Sequence, residues 1–288
     1  MTGAVLVTGA AGRLAAFVAE AFADRPVVAL RRADLDITDP AAVGRVVTEI
    51  GPAVIVNCAS YNNVDGAEDE PAEALRINAT GVRSLARAAQ RCGATLVHYS
   101  TDFVFSGEAT VPYDEADEPA PRSAYAASKL LGEWYALDAP RAYVLRVESL
   151  FGCGPAWTGP RGTLDSMVAG LRAEREVQVF TDRIVSPSYM PDVARATRHL
   201  VDSQSATGLY HCVNSEAASW KQVAEEAARV LGVVPRLVER TTSQVTLRAQ
   251  RPTYCALSNR KLARAGYEMP SWRDALQRWI EGASAASV

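Results

Sequence analysis

The sequence predicts an α/β fold: a doubly wound parallel sheet with helices on both faces, joined to a smaller, partly interleaved α/β lobe. Three observations predict it. Short runs rich in β-branched residues alternate with helical patterns over the first half. The first of these runs leads through a glycine-rich turn into a helix. Beyond about residue 150, Gly and Pro cluster, and helical stretches with only short strand candidates follow.

Taken in order, "AVLVT" (4–8), "VVAL" (27–30), "AVIVN" (53–57), "TLVHYS" (95–100) and "AYVLRV" (142–147) read as strands. They are continuously apolar, as strands buried on both faces must be. Between the first two, Leu14, Phe17, Val18, Ala21 and Phe22 mark one face of a helix. A second helix is expected over about 72–91 and a third from near Tyr125. "GCGPAWTGPRG" (152–162) reads as an irregular loop. Helices are then expected near 163–174, 191–202, 219–231, 257–265 and 271–282, with "VQVF" and "LYHCV" as strands. Trp272 and Trp279, seven apart, suit packing of the last helix on the body. The expected division is a dinucleotide-binding domain over 1–150, re-entered by parts of the second half, and a mainly substrate-binding lobe over 151–288.

Bulk properties exclude several functions. The 33 acidic and 30 basic residues are scattered, so neither nucleic acid nor an anionic membrane is an expected partner. No apolar run approaches the ~20 residues that span a bilayer. The N-terminus lacks a basic segment followed by a long apolar stretch, so a cytoplasmic protein is expected. Cys58, Cys92, Cys153, Cys212 and Cys255 are dispersed and odd in number, which suits reduced thiols rather than a disulfide or zinc framework. The acidic run "DEADE" (114–118) reads as a solvated loop, and no metal site is expected. His98, inside a buried strand pattern, reads as structural.

The turn has the spacing Gly9-x-x-Gly12-x-x-Ala15, with Ala11, Arg13 and Leu14 completing the turn and helix start. Glycine permits backbone angles and close approaches that a Cβ would block. The helix start offers free N–H groups and a positive dipole end to a pyrophosphate. The second strand ends at Leu30 and is followed by Arg31 and Arg32, where NAD-selective sites carry an acid. Two guanidiniums suit a 2′-phosphate, so NADP(H) is favoured, with NAD(H) as the second option. Asp36 and Ile37 follow at the position of the adenine edge.

The chain holds only three lysines among 30 basic residues, and one of them, Lys129, stands one helical turn after Tyr125. Residues four apart on a helix share a face. A free phenol titrates near ~10, and an adjacent ammonium favours its ionised form. The strand that ends in Ser100-Thr101-Asp102 would bring the Thr101 hydroxyl to the carboxyl edge of the sheet, where ligands bind. Thr101 would then bind a carbonyl oxygen while Tyr125 delivers a proton to it.

These residues resemble an extended short-chain dehydrogenase/reductase, and more narrowly the dTDP-4-dehydrorhamnose reductases and related sugar-nucleotide reductases. The resemblance runs through "TGAAGRLA" (8–15), "DLDITDP" (34–40), "VNCASYNNVDGAE" (56–68), "NATG" (78–81), "STDFVFSG" (100–107) and "PYDEADEPAPRSAYAASKLLGE" (112–133). It continues through "LRVESLFG" (145–152), "DRIVSPSYMPDVA" (182–194), "GLYHCVN" (208–214) and "QRPTYCALSNRKL" (250–262). It implies a Rossmann-type fold and a catalytic set of Thr101, Tyr125 and Lys129. Hydride would go to the C4 ketone of a nucleotide-activated 4-keto-6-deoxy sugar, with Tyr125 as proton donor. Asn57, Cys58, Ala59, Ser60, Tyr61, Asn78 and Ser100 would line the cofactor path, and Lys129 would reach the nicotinamide ribose. Asn62, Asp102, Phe103, Glu148 and Ser149 would border the sugar, and Arg251 the diphosphate. Ser149 stands where the family often has an aromatic ring, and Glu148 beside it is unusual. The implied partner is a small-molecule nucleotide sugar, for a monomer or homodimer. Two alternatives stay open: a non-catalytic NADP-binding module like the regulatory subunit of methionine adenosyltransferase, and a sugar-nucleotide epimerase. A dehydratase is disfavoured because Phe103 holds the place of its glutamate.

Overall fold

A computed structural model describes residues 3–153 and 157–285. In chain order the first half contains β1 (Val5–Thr8), α1 (Arg13–Ala21), β2 (Val27–Leu30), α2 (Pro40–Ile50) and β3 (Val54–Asn57). Short helices α3 (Gly66–Asp69) and α4 (Pro71–Leu75) follow, then a π-helical segment, Arg76–Gly81, and α5 (Val82–Cys92). β4 (Thr95–Thr101), α6 (Ala124–Leu137) and β5 (Ala142–Val147) complete this part. The second half contains β6 (Leu150–Phe151), α7 (Thr163–Arg172), β7 (Glu176–Phe180), β8 (Ile184–Val185), β9 (Ser188–Tyr189) and α8 (Met190–Asp202). It continues with β10 (Gly208–His211), β11 (Ala218–Ser219), α9 (Trp220–Leu231), β12 (Arg236–Arg240), α10 (Arg260–Arg264) and α11 (Trp272–Ala285).

Six strands form one sheet in the order β10-β5-β4-β3-β1-β2. Every neighbouring pair is parallel. Successive side chains therefore point to opposite faces. Val5 and Val7 pack with Leu14 and Val18 of α1, with Phe22 just after it, and with Val193 and Leu200 of α8. Leu6 packs on the other face with Val43 of α2 and Leu85 and Ala89 of α5. A third apolar cluster joins Leu164 and Leu171 of α7, Val223 and Ala227 of α9, and Trp272, Leu276 and Trp279 of α11. The order reverses at β1, which lies between β3 and β2. A crevice forms outside the carboxyl ends of the strands at such a reversal, because the connections leave to opposite faces there.

The expected α/β class and parallel sheet are observed, with local differences. The helix α2 was not expected. Its run Val43, Val46, Val47, Thr48 is β-branched and favours extended backbone locally. Asp39 caps it through Ala41 and Ala42, Pro40 starts it, and burial of Val43 and Val47 holds it. The single helix expected over 72–91 is interrupted by the π-helical turn around Asn78. Such turns are uncommon and re-aim one side chain, here that of Asn78. The strand β12, parallel to β7, also gave no sequence signal, because "RLVER" lacks an apolar alternation. Of the loop expected over 152–162, residues 154–156 lie outside the described residues.

Candidate active site

The site is built on loops that leave the carboxyl edge of the sheet. Gly9 has φ +67°, and a Cβ there would lie 2.5 Å from the Ala59 amide nitrogen. Only glycine lets the first turn approach the chain after β3 so closely. Gly12 stands at the N-cap of α1, where it has no side chain to cap the first amides of that helix. This narrow, uncapped cradle fits a dinucleotide phosphate.

A polar scaffold holds the opposite loop. Asn57 accepts from Thr8 Oγ1 at 2.7 Å and from the Ala59 amide at 3.1 Å, and its Nδ2 meets His98 Nδ1 at 3.1 Å. Asn78 accepts from Ser60 Oγ at 2.9 Å and the Tyr61 amide at 2.8 Å, and donates to Ser128 Oγ at 3.0 Å. Asn78 thereby ties the loop after β3 to α6. It and Asn57 act on the crevice mainly through the loops they hold.

Ser123 caps α6 by accepting from the Ala126 amide, which sets Tyr125 and Lys129 on the inner face. Both are buried, at 8% and 3% exposure. Lys129 Nζ donates to the Tyr99 carbonyl at 2.5 Å. Burial lowers Lys129 to about 8. Tyr125 was expected to be acidified by that ammonium. Its phenol is instead pushed up, chiefly by burial and then by the charge of Asp102, with only the Thr101 hydroxyl opposing. Desolvation outweighs any help from the neighbouring cation. The Phe103 ring meets Tyr125 edge to face, with centroids 6.1 Å apart.

Thr101 Oγ1 donates to Asp102 Oδ1 at 2.9 Å and accepts from the Phe103 amide at 3.2 Å. Asp102 is 3% exposed, and burial raises it to about 6. Glu148 is 2% exposed and accepts from the Ser186 amide at 2.6 Å. Ser149 has φ +45°, an uncommon angle for serine.

A cleft of about 400 Å³ gathers many of the expected residues. Gly12, Arg13 and Leu14 form one wall; Ser100, Thr101, Asp102, Phe103, Tyr125 and Lys129 form another. Cys58, Ala59, Ser60, Asn62, Ser149 and Arg251 also border it. Gly9, Ala11, Arg31, Arg32, Asp36, Ile37, Tyr61, Asn78 and Glu148 stand outside its lining. Arg31 and Arg32 are exposed and pair with Asp34 at 3.3 Å and with Glu73 at 3.6 Å. Asp36 accepts from the Thr38 amide, and Ile37 is buried against the core. Tyr61 donates to Glu70 at 3.0 Å. Arg251 is held by Asp65 at 2.7 Å, and Arg13 by Asp165 at 3.1 Å. Sequence reading missed Arg183 and Trp220, which reach the cleft from the second half. Arg183 lies inside a family-like segment, whereas Trp220, at the start of α9, carried no signal.

A parallel sheet with a glycine turn facing a Thr–Tyr–Lys crevice defines the extended short-chain dehydrogenase/reductase class. Within that class the chain belongs to the RmlD family: the model described as "RmlD substrate binding domain" matches residues 3–284. A dTDP-4-dehydrorhamnose reductase of Streptomyces griseus is 38% identical over 281 residues, covering 94% of this chain and 91% of the relative. A probable dTDP-4,6-dihydroxy-2-methyloxan-3-one 4-ketoreductase of Streptomyces antibioticus is 36% identical, covering 94% and 92%. The structure of dTDP-4-dehydrorhamnose reductase from Bacillus anthracis in complex with NADP superposes with a TM-score of 0.91 at 32% identity, covering 98% of this chain and 100% of that one. The expected resemblance therefore holds over nearly the whole chain.

Proposed function

We propose that the protein is an NADPH-dependent reductase of a nucleotide-activated 4-keto-6-deoxy sugar, of the dTDP-4-dehydrorhamnose reductase type. One observation carries the reading: Thr101, Tyr125 and Lys129 line the same cleft as the glycine turn, in a chain of this family. The relative solved with NADP supports NADP(H), with NAD(H) as the lesser option. The glycine turn and α1 would hold the pyrophosphate, and Lys129 the nicotinamide ribose. When bound, the dinucleotide supplies the hydride.

Thr101 would orient the sugar carbonyl by donating a hydrogen bond to its oxygen. Tyr125 would protonate that oxygen as the alkoxide forms. A phenol that burial makes hold its proton firmly suits a general acid. Negative charge developing beside it, together with Lys129, makes the transfer favourable only during reaction. Arg251, on the rim, is the candidate for the nucleotide diphosphate, since a guanidinium binds phosphate oxygens in pairs. It would have to exchange part of its Asp65 contact to do so.

The test is incubation with NADPH and dTDP-4-keto-6-deoxy sugars, followed by loss of the reduced nicotinamide absorbance. Tyr125→Phe should lower kcat at least ~10²-fold, as loss of a general acid does, with NADPH affinity unchanged. A fully active Tyr125→Phe variant would reject the phenol as the acid. A wild-type protein that binds NADPH yet turns over no keto sugar would favour the non-catalytic reading.

A further inference from the structure

Asp102, in the cleft wall, and Glu148, outside the lining, bring their carboxyl groups together. The register of the sheet sets this. Thr101, the last residue of β4, stands opposite Val147, the last of β5, so the next residues on the two chains emerge side by side. A carboxylate oxygen of each, and the sulfur of Cys255, all lie within 4.8 Å of one another. Each acid has one oxygen already engaged: Asp102 Oδ1 by Thr101 and Glu148 Oε2 by the Ser186 amide. The other two, Asp102 Oδ2 and Glu148 Oε1, are buried without a hydrogen-bond partner among the described residues. Two ionised carboxylates this close are strongly disfavoured away from water. One proton between them satisfies both.

We propose that Asp102 and Glu148 share one proton at neutral pH, and that Thr101 passes this proton to Tyr125 after the phenol has given up its own. This rests on the reductase reading for its second half only. The atoms balance in two coupled transfers. Once Tyr125 is a phenolate and the product alcohol has left, the Thr101 hydroxyl, returned to Asp102 Oδ1, turns towards the phenolate, breaking its own O–H bond as the tyrosine O–H forms. As Thr101 releases Asp102 Oδ1, the pair's proton moves to that oxygen and passes from it to Thr101 Oγ in the same exchange. The acid pair is left with two negative charges until a proton enters from the cleft, which Asp102 borders.

The surroundings suit this role. Burial raises both acids, and the charge of Asp102 raises Glu148 further. Arg183, facing both, partly favours the ionised forms and limits the doubly charged state's cost. The Cys255 thiol is itself pushed up by burial and by the two acids; it donates to the Pro252 carbonyl at 3.4 Å and lies close enough to Asp102 to interact with its carboxylate weakly. It remains a thiol and competes poorly as a metal ligand. The other ionisable groups facing the pair are Tyr125, towards Asp102, and Tyr254, towards Glu148.

Infrared spectroscopy of the purified protein tests the shared proton without any substrate. The wild type should show the carbonyl stretch of a protonated carboxylic acid at neutral pH, lost as pH rises. Glu148→Gln should abolish it, because Asp102 alone is raised only to about 6; in Asp102→Asn the band should shift but persist, because burial still keeps Glu148 protonated. No band in the wild type, an unshifted band in both variants, or a stoichiometric divalent metal retained by the protein would overturn the proposal. Turnover tests the relay. In Glu148→Gln, kcat should fall about 10²-fold with KM little changed, and its alkaline limb should move to lower pH. Glu148→Asp should restore much of the rate. Full activity of Glu148→Gln with the infrared band gone would sink the relay while leaving the shared proton. A wild type inactive on keto sugars but showing the band would sink the reductase reading alone.

Discussion

Asp102 illustrates how burial sets a residue's behaviour before any ligand arrives. Its carboxyl pKa rises from an ordinary 3.8 to about 6 because water is excluded from it. The folded chain therefore holds that proton more tightly than the unfolded chain does. Stability is favoured while the proton is on, and declines as pH rises from the unfolded value through about 6. Asp102→Asn keeps an acceptor for Thr101 and carries no charge. Its stability relative to wild type should improve by on the order of 1 kcal/mol between about pH 5 and about pH 8, read by denaturant unfolding. An unchanged difference across that range would mean the carboxylate is solvated after all.

At the scale of elements, the crossing of α6 over the π-helical turn decides where the cofactor loop sits. Gly132 lies at the closest approach: a Cβ there would come 2.1 Å from the Asn78 carbonyl oxygen. Gly132→Ala must push the turn away, and with it the Asn78 side chain that holds Ser60 and Tyr61. The variant should lose about 1–3 kcal/mol, the usual range for overpacking. It should also bind NADPH roughly tenfold more weakly, a difference of about 1.4 kcal/mol. Gly282→Ala on α11, where a Cβ meets nothing within 4 Å, serves as the control and should be neutral or slightly stabilising. Melting temperature and cofactor titration separate the two outcomes.

Across the whole molecule, the two halves are interleaved. The second half supplies β10 to the edge of the sheet and α8 to the face that α1 covers. Arg198 of α8 donates to the Ala21 carbonyl and pairs with Asp24, and Arg13 of α1 pairs with Asp165 of α7. Removing the second half would take α8 from that face and leave the apolar side chains beside α1, among them Phe22, partly uncovered. Scanning calorimetry should therefore give one transition, with calorimetric and van't Hoff enthalpies nearly equal. Two resolved transitions would show that the apolar cluster around Trp272 melts by itself.

Continuous apolar strands, the glycine turn and the Tyr–Lys spacing were all legible from residue order, because each depends on neighbours within a few positions. Periodicity and backbone sterics act locally, and a helix puts residues four apart on one face whatever surrounds it. Other features depend on strand register and helix crossing, which no local pattern encodes. These include the pairing of Asp102 with Glu148, the reach of Arg183 and Trp220 into the cleft, the Tyr99 carbonyl that holds Lys129, and the direction in which Tyr125 shifts. Desolvation is likewise a property of everything packed around a group, so it emerged only once the chain was folded.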